Sequence, residues 1–150
     1  MAFDYNERVI AHFLDPQNVG IIENADGVGK VGDASCGDEF VMFIRVEQER
    51  LVDIKYLIQG CGAAIATCSA LSVVAKGLSI NDALALTDDD IARELGGLPL
   101  EKLHCSNMAA TALHRAIADF ERRKVLGKVA RRHGDDWRDQ YRRVLDSSLI

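Results

Sequence analysis

The chain has 150 residues, 48% of them hydrophobic, four cysteines and a formal net charge of -5. That is enough apolar material for one core without disulfide staples, and the acidic balance argues against a nucleic-acid or anionic-membrane surface. No window is apolar over the length of a membrane span, and "MAFDYNERVIAHFLDP" lacks the features of a secretory signal, so the chain reads as cytoplasmic, with its thiols reduced.

Residues 4 to 14 place Val9, Ile10, Phe13 and Leu14 on one side of a short amphipathic helix that stops at Asp15-Pro16. Three strand-length blocks follow, at 28 to 35, 39 to 46 and 51 to 58, divided by "SCGD" and "EQER". In the third block Val52, Ile54, Tyr56 and Ile58 alternate with polar residues, the pattern of a sheet with one face on a core and the other partly wet. "GCGAAIATCSALSVVAKG" then supplies helix formers through Lys76, with Gly77 placed to end the helix. Ser79 with Asp82, and Thr87 with Asp90, are spaced like capping boxes and predict two short helices. After "GGLPL" a long helix carries Met108, Leu113, Ala116, Ile117 and Phe120 and ends near Gly127. The expected fold is α+β: a three-stranded antiparallel sheet with helices packed on one face, plus a C-terminal helical extension.

Cys36, Cys61 and Cys105 all fall at element ends, flanked by Gly, Asp, His and Ser rather than by an apolar face. Buried inert cysteines sit in mid-element, as Cys68 does, about 10 Å along the helix from Cys61. Helix starts carry unpaired amides and partial positive charge, which biases Cys61 and Cys105 toward thiolate. Gly37, Gly60 and Gly62 permit unusual dihedrals and close backbone approach to sulfur. Asp38 adds a hard oxygen and His104 a borderline nitrogen, so the set suits Zn2+, Fe2+ or an iron-sulfur cluster. Read alone, Asp38 is equally a turn aspartate bonding its own backbone, and His104 an ordinary loop histidine. His12, His114 and His133 read as structural or exposed.

The segments "YNERVIAHFLDPQNVG", "GDASCGD", "YLIQGCGAAIATCSAL" and "LPLEKLHCSNMAATALHRAIADF" resemble, in order and interval over residues 5 to 125, the IscU-type iron-sulfur cluster assembly scaffolds, equivalent to the N-terminal domain of NifU. The resemblance implies a scaffold domain over residues 1–126, with 127–150 as a helical extension. It implies a carrier rather than an enzyme: the protein accepts persulfide sulfur from a cysteine desulfurase, binds iron, builds a labile 2Fe-2S cluster and passes it to apo-proteins, with a ferredoxin-type electron donor. On this analogy Cys36, Cys61 and Cys105 are the sulfur ligands, Asp38 or His104 completes the set, and Cys105 is the persulfide acceptor. Tyr5 matches a tyrosine implicated in self-association to a homodimer, and Lys102 precedes His104 as in the family.

Where relatives carry LPPVK for an Hsp70-type chaperone, this chain has "LPLEK", which argues against that partner. The zinc-dependent SufU-like sulfur acceptors are the alternative, with Zn2+ in the resting site. Their usual insertion between the second and third cysteines is missing here, and the histidine they lack, His104, is present. Beyond Gly127, Trp137, Tyr141, Val144 and Leu145 have helical spacing among charged residues, and "ERRKVLGKVARRH" reads as a solvated face.

Overall fold

A computed structural model describes residues 5–33, 38–99 and 102–130. Its elements are α1 (Glu7–Leu14), β1 (Gly27–Asp33), β2 (Asp38–Glu47), β3 (Arg50–Gln59), α2 (Gly62–Ala75), α3 (Ile80–Leu84), α4 (Asp88–Glu94) and α5 (Leu103–Ala130). The strands form one antiparallel sheet in the order β1-β2-β3. Gln48 and Glu49, both at positive φ, make the two-residue β2–β3 hairpin whose twist matches the flanking strands. The fold class read from the sequence is thus the observed one.

Two helices cover one face. Phe40, Met42 and Ile44 of β2 and Ile54, Tyr56 and Ile58 of β3 share a buried cluster with Ala64, Cys68 and Leu71 of α2 and Leu113 and Ile117 of α5. The opposite face is partly wet along β3, where Asp53, Lys55, Leu57 and Gln59 are half-buried, but on β2 Val41 and Phe43 are buried under Ile22 and Ala25 of the connection between α1 and β1. Phase slips once along β3. Arg45 pairs with Asp53 but Val46 pairs with Leu51, so Val52 is an extra residue in a bulge. Leu51 therefore joins the core, and Val52, expected inside, is exposed.

Helix α1 also departs from expectation. Of its apolar stripe only Val9 is buried, and Leu14 is 74% exposed. Polar bonds join Val9 in tying the helix down: His12 Nδ1 lies 2.7 Å from Ser69 Oγ, Asn6 Nδ2 donates to Gly97 O, and Arg8 Nη1 donates to Glu94 O. Asn6 caps it by accepting from the Val9 amide. The short helices start where read, α3 on Ser79 and α4 on a full Thr87–Asp90 capping box. Helix α5 continues past Gly127 to Ala130; an internal glycine costs about 1 kcal/mol, which a long helix tolerates. Residues 131–150, with His133 and the Trp137, Tyr141, Val144 and Leu145 stripe, lie outside the described residues.

Both edge strands are partly covered. On β1, the Val28 amide donates to Asp119 and the Lys30 carbonyl accepts from Arg115, both side chains of α5. On β3, Gly20 donates to Tyr56 O, and Leu51 exchanges backbone bonds with Gly77 and Leu78.

Small residues bring α5 onto β1. A Cβ on Gly27 would stand 2.1 Å from the Ala116 carbonyl oxygen, and one on Gly29 2.2 Å from that of Ala112. Neither glycine has positive φ, so both are required for space alone. Gly29→Ala is expected to cost about 1–3 kcal/mol in urea unfolding, as overpacking against fixed backbone does. Val52→Thr, at the exposed bulge, is expected to stay within about 0.5 kcal/mol of the parent.

Candidate metal centre

Three element ends meet at one end of the sheet, where its central strand begins. Asp38 opens β2, Cys61 is the N-cap residue of α2, and Cys105 lies in the first turn of α5. One ligand atom from each, an Asp38 carboxylate oxygen and the two sulfurs, all lie within 4.8 Å of one another. The two Sγ atoms are 4.0 Å apart. Asp38 and Cys61 are half-buried and Cys105 is fully buried, so the cluster is open to solvent on the Cys61 side.

Glycines make the approach of Asp38 geometrically available. A Cβ on Gly60 would lie 2.8 Å from Asp38 Oδ1, and one on Gly32, which has φ of 86°, 2.1 Å from the Asp38 carbonyl oxygen. Gly60 therefore serves through its missing side chain, not through an unusual dihedral. Gly62 makes room for the Phe13 ring, so α1 flanks the start of α2. Sequence reading picked out Gly60 and Gly62 but not Gly32, and placed Phe13 only in the stripe of α1, because both depend here on neighbours distant in the chain.

The two thiols are displaced in opposite directions. The Cys105 thiol beside Cys61 is the main cause that lowers its pKa to about 5, against a burial penalty and the Asp38 carboxylate. The Ala64 amide in the first turn of α2 and the Lys102 ammonium also favour the anion. Cys105, holding the proton of that contact, is displaced upward by it, by burial and by the Cys61 charge. The expected thiolate bias at both helix starts thus holds for Cys61 alone: one anion between two sulfurs close together is cheaper than two. Cys68 is fully buried and its thiol is pushed upward by desolvation, as a packed residue should be.

Lys102, in the turn before α5, gains more from the charges of Cys61, Tyr5 and Cys105 than it loses to desolvation. Tyr5 packs against the core, its phenol raised chiefly by burial, with Lys102 pulling the other way. Cys36 and the side chain of His104 lie outside the described residues, although His104 belongs by its backbone to the first turn of α5. Of the sequence-predicted ligands, Asp38, Cys61 and Cys105 are brought together. Their mix of carboxylate and thiolate fits Zn2+, Fe2+ or the iron of a cluster.

The family model for the NifU-like N terminal domain matches residues 4–126. The chain is 51% identical over 125 residues to "Iron-sulfur cluster assembly scaffold protein IscU 1" of Archaeoglobus fulgidus, covering 83% of this chain and 80% of that one. It is 48% identical over 122 residues to "Iron-sulfur cluster assembly scaffold protein IscU" of Aquifex aeolicus, covering 80% of this chain and 78% of the relative. In fold it resembles the crystal structure of a nitrogen-fixing NifU-like protein (N-terminal) from Brucella abortus, with a TM-score of 0.65 at 15% identity over 78% of this chain and 94% of that one. Among the described residues, no helix is long and apolar enough to cross a membrane.

In metal-free protein, alkylation of Cys61 by iodoacetamide should follow a thiolate titration with its midpoint near pH 5. Because the folded value is depressed, reactivity persists at neutral pH and is lost only as pH falls through that midpoint. Peptide mass spectrometry checks it; a midpoint near the ordinary thiol value of about 8.5 would contradict the geometry. Cys105→Ala removes the largest stabilising contact and should move the midpoint upward. Gly60→Ala should displace Asp38 and weaken Co2+ binding, read from the thiolate-to-metal absorption, by about tenfold or more.

Proposed function

The chain belongs to the NifU-like N-terminal domain family, and from that footing we propose that it is a scaffold on which a labile 2Fe-2S cluster is built and handed on. The observation that carries the reading is the convergence of Asp38, Cys61 and Cys105 from three separate elements into one ligand group. Names of relatives as iron-sulfur cluster assembly scaffolds support it. Cys36 and His104, near in sequence to two of these residues, are proposed to complete the donor set.

In this reading iron and sulfide are cargo. Thiolates bind iron as they do in stable iron-sulfur proteins. The Asp38 carboxylate replaces one soft donor with a hard one, so the cluster is held less tightly, which suits donation. Lys102 offsets the negative charge gathered by the carboxylate and the sulfurs. Cys105 carries the persulfide, sheltered from bulk solvent by its burial. Partners follow from this chemistry: a cysteine desulfurase as sulfur donor, a ferredoxin-type electron donor, and apo-proteins as recipients, with Tyr5 at the contact of a homodimer. Residues 1–126 form the scaffold domain and 127–150 an extension of it. The role is that of a cytoplasmic carrier with no turnover chemistry of its own.

Anaerobic incubation with Fe2+, a cysteine desulfurase and cysteine should generate the visible absorption of a 2Fe-2S centre. That centre should transfer to an apo-ferredoxin. Tight stoichiometric Zn2+ with stimulation of the desulfurase, and no transferable cluster, would instead establish the zinc-dependent SufU-like sulfur acceptor. Asp38→Ala should alter cluster lifetime, read from the decay of the visible absorption; unchanged rates of holding and release would remove Asp38 from the mechanism.

A further inference from the structure

Strand β1 is an edge of the sheet, and its outer side is only half answered. The N–H and C=O of one strand residue point the same way, so four backbone groups of Val28 and Lys30 face away from β2. The Val28 amide donates to Asp119 Oδ2 at 2.9 Å, and the Lys30 carbonyl accepts from Arg115 Nη1 at 2.8 Å. The other two, the Val28 carbonyl and the Lys30 amide, have no partner among the described residues. They flank Gly29 on the floor of an open groove of about 340 Å3, whose far wall is the Arg115, Ala118 and Arg122 face of α5. Cations rim this groove. Lys30, Arg115 and Arg122 are all exposed, in a chain whose formal net charge is -5. Lys30 is paired with Glu39 and Arg122 with Asp119, but Arg115 is in no ion pair among the described residues.

We infer that this edge takes up an extended acidic segment of a partner protein as an added strand. In a parallel pairing, one peptide residue opposite Gly29 donates to the Val28 carbonyl and accepts from the Lys30 amide. Its side chain falls on the same face as a Cβ at Gly29 would, toward α5, so a carboxylate there meets Arg115 and Arg122. An inorganic anion satisfies the cations but leaves the Val28 carbonyl without a donor. A second copy of the edge sets Lys30 and Arg115 against their equals across a twofold axis, which like charges oppose. Gly29 stands roughly 13 Å along β1 from Asp33, the pairing partner of Asp38. A segment centred on Gly29 therefore sits beside the ligand group without occupying it.

The isotope-labelled full chain tests this with a fluorescent, terminally blocked peptide of sequence TEVETE. The peptide should bind saturably by fluorescence anisotropy and slow hydrogen exchange of the Lys30 amide, read by NMR, about fivefold or more. Its basic counterpart TKVKTK should not bind, and Arg115→Glu or Arg122→Glu should weaken TEVETE about tenfold or more. TEVETE N-methylated along its backbone keeps the charges and gives up the donors, so it should lose binding. Equal binding of the N-methylated peptide reduces the site to charge attraction and overturns the added strand. No binding of TEVETE up to about 1 mM overturns the proposal outright. A Lys30 amide already protected in the free chain and unchanged by peptide overturns it in favour of residues 131–150 as the cover. The same protection rising with protein concentration overturns it in favour of a second copy. The N-methylation comparison uses the unsubstituted chain, so it decides the matter even where a variant fails to fold.

Discussion

The site depends on how deeply α5 can sit on the sheet. Helix and strand backbones come close only because Gly27 and Gly29 face Ala112 and Ala116, with no side chain between them larger than a methyl group. The same descent carries the first turn of α5, and with it Cys105, to the end of the sheet where Asp38 begins β2 and Cys61 caps α2. A larger residue at either glycine would tilt the helix about a point some twenty Å or less from Cys105. Ångström-scale displacement there is enough to separate a ligand atom from its neighbours.

What the sequence made legible was local. Strand-length apolar runs and the caps at Ser79 and Thr87 are decided by a few adjacent residues, and the structure has them where their chemistry puts them. The bulge at Val52 was hidden because both Leu51 and Val52 are apolar, and only pairing with β2 decides which one turns inward. The stripe of α1 misled for a related reason: apolar spacing says that a helix has a face, while the amount of facing surface is a property of α2.

At the site, placing Cys61 and Cys105 at helix starts and Asp38 at the junction of a turn with β2 needed only element boundaries. That the three converge was first implied by the family resemblance, since residues 38, 61 and 105 are brought together by topology. The unequal charge of the two sulfurs was not legible at all. Taken singly, each helix start favours a thiolate; taken together, the second negative charge is opposed by the first. A pair property cannot be read from positions considered one at a time.

Asp38, Cys61 and Cys105 belong to the second strand, the second helix and the last helix, with no two from the same element. Whatever they grip together acts as a rivet through the tertiary structure. By thermodynamic linkage, a ligand that binds only the assembled arrangement adds its binding free energy to folding stability. The converse follows with equal force: a recipient that prefers the slackened, unriveted shape would pull the load free without touching it, by capturing the carrier each time those elements drift apart.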